Sequence, residues 1–322
     1  MIKSLIYLMI AVLLSMTIAA CGKSKQNLID LVPEGNMLGN VQVSKLIDVE
    51  AIKDAYEQMD KTSDMPPTFE GALDYVEEEF GIDLRELSQG LFFGSIGSDD
   101  SEVDFGCIVE GSFDESRFID GLEKYGDTVL DVSEYRDHTI YLDDDGGLGL
   151  CFIEDEIMVV GSPQATRDVI DVVEGEKPPI SGRIRDNYDA LGDADLKTII
   201  AIPGEAWTEV IDEDSLGDNT PFSLDFLKEM EYVGFSLNTD DENLDLSLKL
   251  YWSDATVAQE SEELIRSFLN IFKLMSEDPE LQGLLDSIDI SSSGLLVSID
   301  IELNADMLEA LMEMSEMEMP LL

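Results

Sequence analysis

Histidine is almost missing from this chain of 322 residues, in which His138 is the single example. A Ser-His-Asp triad would have to run through His138, and no serine lies in the GxSxG pattern of hydrolase nucleophiles. The zinc patterns HExxH and CxxC do not occur either. We therefore predict that the chain is not an enzyme, with no catalytic residues, metal ligands or cofactor site, and that His138 is a surface loop residue.

Basic side chains are also scarce. The chain has 19 Lys and Arg against 71 Asp and Glu, which gives a formal net charge of −52. A chain of this charge repels phosphate backbones, so nucleic acid is excluded as a partner. The acids form runs in predicted turns, and none of these runs matches a calcium-binding loop: Asp99-Asp100, Asp143-Asp144-Asp145, Asp212-Glu213-Asp214 and Asp240-Asp241-Glu242. We expect weak, diffuse binding of divalent cations.

The N-terminus has the layout of an export signal. One lysine is followed by the apolar run Ser4 to Ala20, which at 17 residues is at the lower edge of the ~20 that a transmembrane helix needs. The run ends in Ile18-Ala19-Ala20-Cys21, which resembles the lipobox of bacterial lipoproteins. The resemblance implies that 1–20 is a cleaved signal peptide and that Cys21 is the lipid attachment site.

The same resemblance implies a cellular location. Acyl chains such as palmitate on Cys21 would anchor the protein in a membrane on the non-cytoplasmic side of the cell envelope, with 21–27 as a lipidated tether. Gly22 resembles the residue of the outer-membrane class if the host is Gram-negative. The mature chain would carry 18 basic and 71 acidic side chains, a formal charge of −53, and would be repelled by an anionic membrane surface.

The two other cysteines lie in strand-like runs. Cys107 is in DFGCIVEG and Cys151 is in LGLCFIED. Outside the cytoplasm such a pair can oxidise to a disulfide. Burial as two reduced thiols is the alternative, since cysteine behaves as a small hydrophobic residue. The sequence leaves both open.

An internal repeat organises the body of the chain. LFFGSIG and VDFGCIVEGS, from Leu91 and Val103, match YVGFSLN and LDLSLKLYWS, from Tyr232 and Leu244, at an offset of 141 residues. A Pro- and Gly-containing stretch, EGEKPPISGR, separates the copies. We predict a first repeat at 28–177, a linker at 178–195 and a second repeat at 196–322, and leave open whether the copies form two domains or one sheet.

Each copy shows helices with readable starts. We predict that Ser112 and Ser253 cap two core-facing helices, and that Ser162 and Asn304 open two more. In the second core-facing helix these residues share one mostly apolar face: Val257, Ser261, Leu264, Ile265, Phe268 and Phe272. A further helix, TFEGALDYVEEEFG, ends at Gly81.

Strands joined by short turns and combined with these helices predict an α+β fold. The body resembles, in layout only, duplicated exported lipoprotein domains of unknown function. Our leading hypothesis is a membrane-anchored lipoprotein that binds an unknown protein or hydrophobic ligand. The alternative is a carrier or chaperone for lipids, which the Met-rich C-terminus MLEALMEMSEMEMPLL also favours. A carboxylate-dependent hydrolase is less favoured, because no acid pair stands out.

Overall fold

The computed structural model describes residues 27–47, 53, 56–57, 65–96, 103–126, 129–143, 145–204, 225–239, 243–276, 279–304 and 307. The predicted signal peptide and Cys21 lie outside these residues. The chain divides into two compact units, Met1–Asp186 and Asn187–Leu322.

The first unit contains an antiparallel sheet with helices. Its strands run in the order β1-β2-β3-β7-β6-β5-β4. They are β1 (Met37–Val41), β2 (Gln89–Ile96), β3 (Val103–Glu110), β4 (Asp131–Tyr135), β5 (His138–Leu142), β6 (Gly149–Glu154) and β7 (Ile157–Gly161). The helices are α1 (Val43–Ile47), α2 (Phe69–Phe80), α3 (Glu115–Gly126), α4 (Pro163–Val173) and α5 (Arg183–Asp189), with short 3-10 turns at Leu28–Leu31 and Leu84–Glu86.

The second unit has a smaller antiparallel sheet, in the order β11-β12-β10-β9-β8. Its strands are β8 (Leu196–Ala201), β9 (Met230–Thr239), β10 (Asn243–Trp252), β11 (Ile288–Ser293) and β12 (Leu296–Asn304). The long helix α6 (Ala255–Met275) and the short helix α7 (Pro279–Asp286) connect β10 to β11, and a 3-10 turn at Asp225–Glu229 precedes β9. The predicted α+β class is thus confirmed.

One strand of the first unit was not predicted. β4 pairs only with β5, and Val132 on it is 64% exposed. Its side chains do not alternate between buried and exposed positions as a half-buried strand would. Backbone pairing with β5 defines β4, and apolar periodicity could not reveal it.

One predicted helix end, at Gly81, and one predicted helix start, at Ser162, are confirmed. The Thr68 hydroxyl accepts a hydrogen bond from the backbone N–H of Gly71 at 3.1 Å and caps α2. Gly81 ends that helix in the left-handed conformation, with φ of 68°, which glycine adopts without steric cost. Ser162 caps α4 through the N–H of Ala165 at 3.0 Å.

Two predicted caps are wrong. The backbone N–H of Arg117 donates to Asp114 Oδ1 at 3.1 Å, and α3 begins one residue after Asp114. At α6 the cap is Asp254, whose Oδ1 accepts from Thr256 N at 2.7 Å. Ser112 and Ser253 each lie further from the first helical turn. A carboxylate at this position also stabilises the positive end of the helix dipole.

The segment 178–195, predicted as a linker, contains helix α5 and a set of buried side chains. They are Ile180, Ile184, Tyr188, Leu191 and Ala194. The segment is therefore packed, and only its first residues have the proline-rich character that suggested a linker.

Candidate functional site

Helix α6 packs on the sheet of the second unit through one side. Ala258 and Ser261 on that side are buried, and Ile265 and Leu269 are partly buried against the same cluster. The cluster is built around Trp252, whose side chain is fully buried. This half of the predicted apolar stripe of α6 is therefore core.

The apolar stripe continues past the residues that pack on the sheet. Five large apolar side chains near the end of α6 are exposed: Phe268 (37%), Ile271 (48%), Phe272 (60%), Leu274 (87%) and Met275 (74%). We call these five residues the α6 apolar face. The prediction that Phe268 and Phe272 face the core is wrong, because helical periodicity places residues on a side and does not show how far the sheet beneath that side extends.

The length of α6 explains this overhang. Its 21 residues extend over about 31 Å. Only the part up to Leu269 contributes to the apolar cluster on the sheet. Neighbouring exposed side chains of this size are characteristic of binding surfaces, since soluble proteins keep contiguous apolar patches small.

The charge around the α6 apolar face differs from that of the whole chain. Residues 264–275 contain Arg266 and Lys273 and no Asp or Glu. Arg266 Nη2 donates to Glu262 Oε1 at 2.7 Å and to the carbonyl oxygen of Ile290. Lys273 Nζ lies 2.9 Å from Asp286 Oδ1 on α7. The acids therefore pair with these cations at the border of the face and leave its apolar centre uncharged.

The carboxyl group of Glu262 is stabilised in its charged form. Ser292 Oγ donates to Glu262 Oε2 at 2.5 Å, and Arg266 binds the other oxygen. The hydrogen bond from Ser292, followed by that from Arg266, lowers the pKa of Glu262. These contacts tie the middle of α6 to strand β11.

Two buried polar atoms lie where α6 meets the sheet, one on β10 and one on α6 itself. Trp252 Nε1 and Ser261 Oγ have no hydrogen-bond partner within the described part of the chain. Trp252 is 0% and Ser261 is 2% exposed. A buried polar atom without a partner costs about 1–3 kcal/mol, so both groups would gain from a polar group placed between helix and sheet.

A second polar cluster surrounds Asp171 at the end of α4. Asp171 Oδ1 accepts a hydrogen bond from Tyr135 Oη at 2.9 Å. The same oxygen forms an ion pair with Arg136 Nε at 2.6 Å. Lys177 Nζ lies 3.7 Å from the second oxygen of Asp171. Arg136 and Asp137 form the β4–β5 turn with positive φ values of 50° and 65°. The cluster holds this two-residue turn against α4, and apolar periodicity does not predict it.

His138 belongs to the same region. It is the first residue of β5, not a loop residue as predicted. Its Nε2 atom lies 3.1 Å from Glu174 Oε1, and its side chain is 17% exposed. The pair with Glu174 joins β5 to the end of α4.

The predicted acidic runs contribute one described turn. Asp143 Oδ1 accepts from the N–H of Leu148 at 3.0 Å and so orders the loop before β6. The runs at 99–100, 212–214 and 240–242, and Asp144, lie outside the described residues. Within the described ranges no three His, Cys, Asp or Glu side chains are grouped to hold a metal ion.

Cys107 and Cys151 are both buried and form no disulfide. Cys107 on β3 is opposite Val160 on β7, whereas Cys151 on β6 is opposite Val159. Because consecutive strand residues point to opposite faces, the two thiols lie on different sides of the sheet. The structure does not bring this predicted pair together.

The chain shares its fold with TP0453. Crystal form III of TP0453 matches with a TM-score of 0.50 and 10% identity, over 91% of this chain and 100% of that chain. Crystal form I matches with a TM-score of 0.47 and 12% identity, over 91% and 98%. Identity at this level shows the fold and nothing about function. No family model and no curated protein matches the chain.

None of the helices in the described ranges is both long and apolar enough to cross a membrane. The 21 residues of α6 include charged and polar side chains along one side.

Proposed function

We propose that this chain is an exported bacterial lipoprotein, anchored through acyl chains on Cys21, whose body binds another protein of the cell envelope without catalysis. The lipobox-like sequence before Cys21 supports the anchor. The α6 apolar face supports the binding role, because exposed apolar side chains next to one another are typical of interfaces.

We also propose that the two units are copies of one fold. The first contains the order β1-β2-β3-β7-β6, and the second contains β8-β9-β10-β12-β11. In each case the third strand leads into a helix, α3 or α6. The hairpin β4–β5 is an addition to the first copy. This order supports the duplication inferred from the 141-residue offset.

The anchor is tested by the intact mass of the protein extracted from membranes. We expect loss of residues 1–20 and added acyl mass on Cys21. A Cys21→Ser variant should stay unmodified and leave the membrane fraction. A wild-type chain with unmodified Cys21 would refute the lipoprotein assignment.

The binding role is tested by site-specific photo-crosslinking in cells. A photoreactive phenylalanine analogue at Phe272 should crosslink to one defined envelope protein. The same analogue at Ser291, an exposed residue on the opposite face of the second sheet, is the control. The product should disappear when Ile271→Glu is added, because a buried charge without a partner is costly. Equal products from both positions would contradict a specific interface.

A lipid carrier is the second candidate. The observation that favours it is the pair of buried polar atoms under α6, Trp252 Nε1 and Ser261 Oγ. If α6 separated from the sheet, an amphiphilic molecule could place its polar group on these atoms and its chain among the apolar side chains. Native mass spectrometry of the chain from Gly22, followed by solvent extraction, tests this. Lipid at a fixed ratio, reduced by Trp252→Phe, would favour the carrier over the protein-binding module.

A further inference from the structure

We propose that the C-terminal segment 308–322 docks on the α6 apolar face of the same molecule and covers it until a partner displaces the segment. The proposal rests on the proposed function only in taking the same face as the binding surface. It needs neither the lipid anchor nor a particular partner.

The segment starts beside the proposed docking surface. The N–H of Met307 donates to Asn304 Oδ1 at 2.9 Å, which places Met307 next to the end of β12. A Cβ atom on Gly283 of α7 would lie 3.9 Å from Met307 Cε, which is ordinary van der Waals contact. Helix α7 is joined to the end of α6 by the Lys273–Asp286 ion pair. The segment therefore begins next to the helix that borders the α6 apolar face.

The length of the segment is sufficient. It has 15 residues, which span about 22 Å as a helix. The α6 apolar face extends from Phe268 to Met275, or about 10 Å along α6. The segment is therefore long enough to cover the face.

The composition of the segment fits an apolar surface bordered by cations. Leu308, Leu311 and Met312 recur at helical spacing, and Met314, Met317 and Met319 follow. Methionine adapts to irregular apolar surfaces. The segment carries four glutamates and no basic residue, whereas residues 264–275 carry no acid and two cations, each paired with an acid outside that stretch. The charges of the two stretches are opposite.

The other face of the second sheet is unsuitable for this segment. Side chains alternate along a strand, so Asp300 and Glu302 point away from the face on which Val297 packs under α6. Across the strands Asp300 is opposite Asp289, and Glu302 is opposite Asp245. Four acids on that face repel a segment with four glutamates. In the first unit, helix α4 packs on an apolar cluster centred on Ile140 and Cys151.

Paired cysteines test the location of the segment. The chain from Gly22 to Leu322 contains every described residue, and its own cysteines are buried. In this chain we would combine Met312→Cys with Phe272→Cys, and as a control Met312→Cys with Ser291→Cys. With a short bismaleimide the first pair should give about fivefold more intramolecular crosslink, because docking raises the effective concentration of the two thiols. Equal yields, or more crosslink in the control, would overturn the proposal.

Hydrogen exchange gives an independent readout that needs no cysteines. Deleting residues 308–322 should speed amide exchange in 264–275 by about tenfold, since the end of α6 would lose its cover. Exchange in α4 is the internal control and should not change. Unchanged exchange in 264–275 would also overturn the proposal.

Partner crosslinking from Phe272 separates this proposal from the proposed function. If both hold, deletion of 308–322 raises the yield of the partner product. If only the cover exists, the Met312–Phe272 crosslink forms and no partner product appears. If only the partner interface exists, deletion leaves the partner product unchanged, and the two cysteine pairs react equally.

Discussion

Cys107 and Cys151 lie on opposite faces of one sheet, with strand β7 between their strands. Neighbouring strands are about 4.8 Å apart, so two strands separated by a third are about 10 Å apart. A disulfide needs Cα atoms within about 7 Å of each other. An oxidising compartment would therefore not join these two cysteines in a disulfide.

We predict that both thiols are unreactive in the folded protein. Burial, with a smaller contribution from Glu115, raises the pKa of the Cys151 thiol to about 12. At pH 8 very little thiolate exists to react. A maleimide should label neither cysteine in buffer and both in denaturant, as measured by mass. Labelling of Cys151 in the folded chain would contradict its position in the core.

The burial of Cys151 also makes the free energy of unfolding depend on pH. The thiol pKa is higher in the folded chain than its ordinary value of 9.0, so the unfolded chain loses its proton first as the pH rises. The stabilisation that comes from the protonated Cys151 thiol is complete below pH 9 and is lost between pH 9 and about 12. Urea midpoints for wild type and Cys151→Ala should converge over this range, which isolates Cys151 from the tyrosines that also titrate there.

We predict that Asp171→Asn destabilises the first unit. The change removes the charge that pairs with Arg136 and Lys177 and weakens the acceptor for Tyr135. The expected loss is about 1–3 kcal/mol in free energy of unfolding, measured by urea denaturation.

Asp168→Asn is the matched control for this prediction. Asp168 is on the same helix and also pairs with Lys177, at 2.7 Å, but at a more exposed site. Exposed pairs contribute about 0–1 kcal/mol, so this variant should be close to wild type. Equal effects of the two variants would show that Asp171 does not hold the β4–β5 turn in place.

We predict that the cap of α3 is Asp114. Asp114→Ala should cost about 1 kcal/mol, because Arg117 loses its side-chain acceptor. Ser112→Ala should change the free energy of unfolding by less than about 0.5 kcal/mol. Thermal unfolding of both variants in parallel measures the two losses. A larger loss for Ser112→Ala than for Asp114→Ala would show that Ser112 is the cap, as the sequence suggests.

We predict that, in a chain without residues 308–322, α6 has one part packed on the sheet and one exposed part. Ile265→Ala removes methyl groups that pack on the Trp252 cluster and should cost about 2 kcal/mol. Ile271→Ala makes the same chemical change at a side chain that is 48% exposed, and it should cost less than about 1 kcal/mol. Urea denaturation of the two variants measures the difference. A larger loss at Ile271 would mean that more than solvent lies over this part of α6.

Local patterns predicted much of the fold. Apolar periodicity revealed α2, α4 and α6, and Ser162 and Gly81 mark helix ends because their chemistry acts within one turn. The periodicity failed at β4, whose pairing depends on β5. The predicted caps of α3 and α6 failed because an acid one or two residues after the predicted serine is closer to the first turn. The Asp171 cluster was also invisible, because Tyr135 and Asp171 are 36 residues apart.

The sequence by itself determined the composition, the α+β class and the apolar stripe of α6, because each depends on residue identity and spacing along the chain. Only the tertiary structure decided which part of that stripe is covered, since this depends on where the strands under α6 end. It also separated Cys107 from Cys151 and placed Asp245, Asp289, Asp300 and Glu302 on one face, because strand order and register are set by contacts between distant residues.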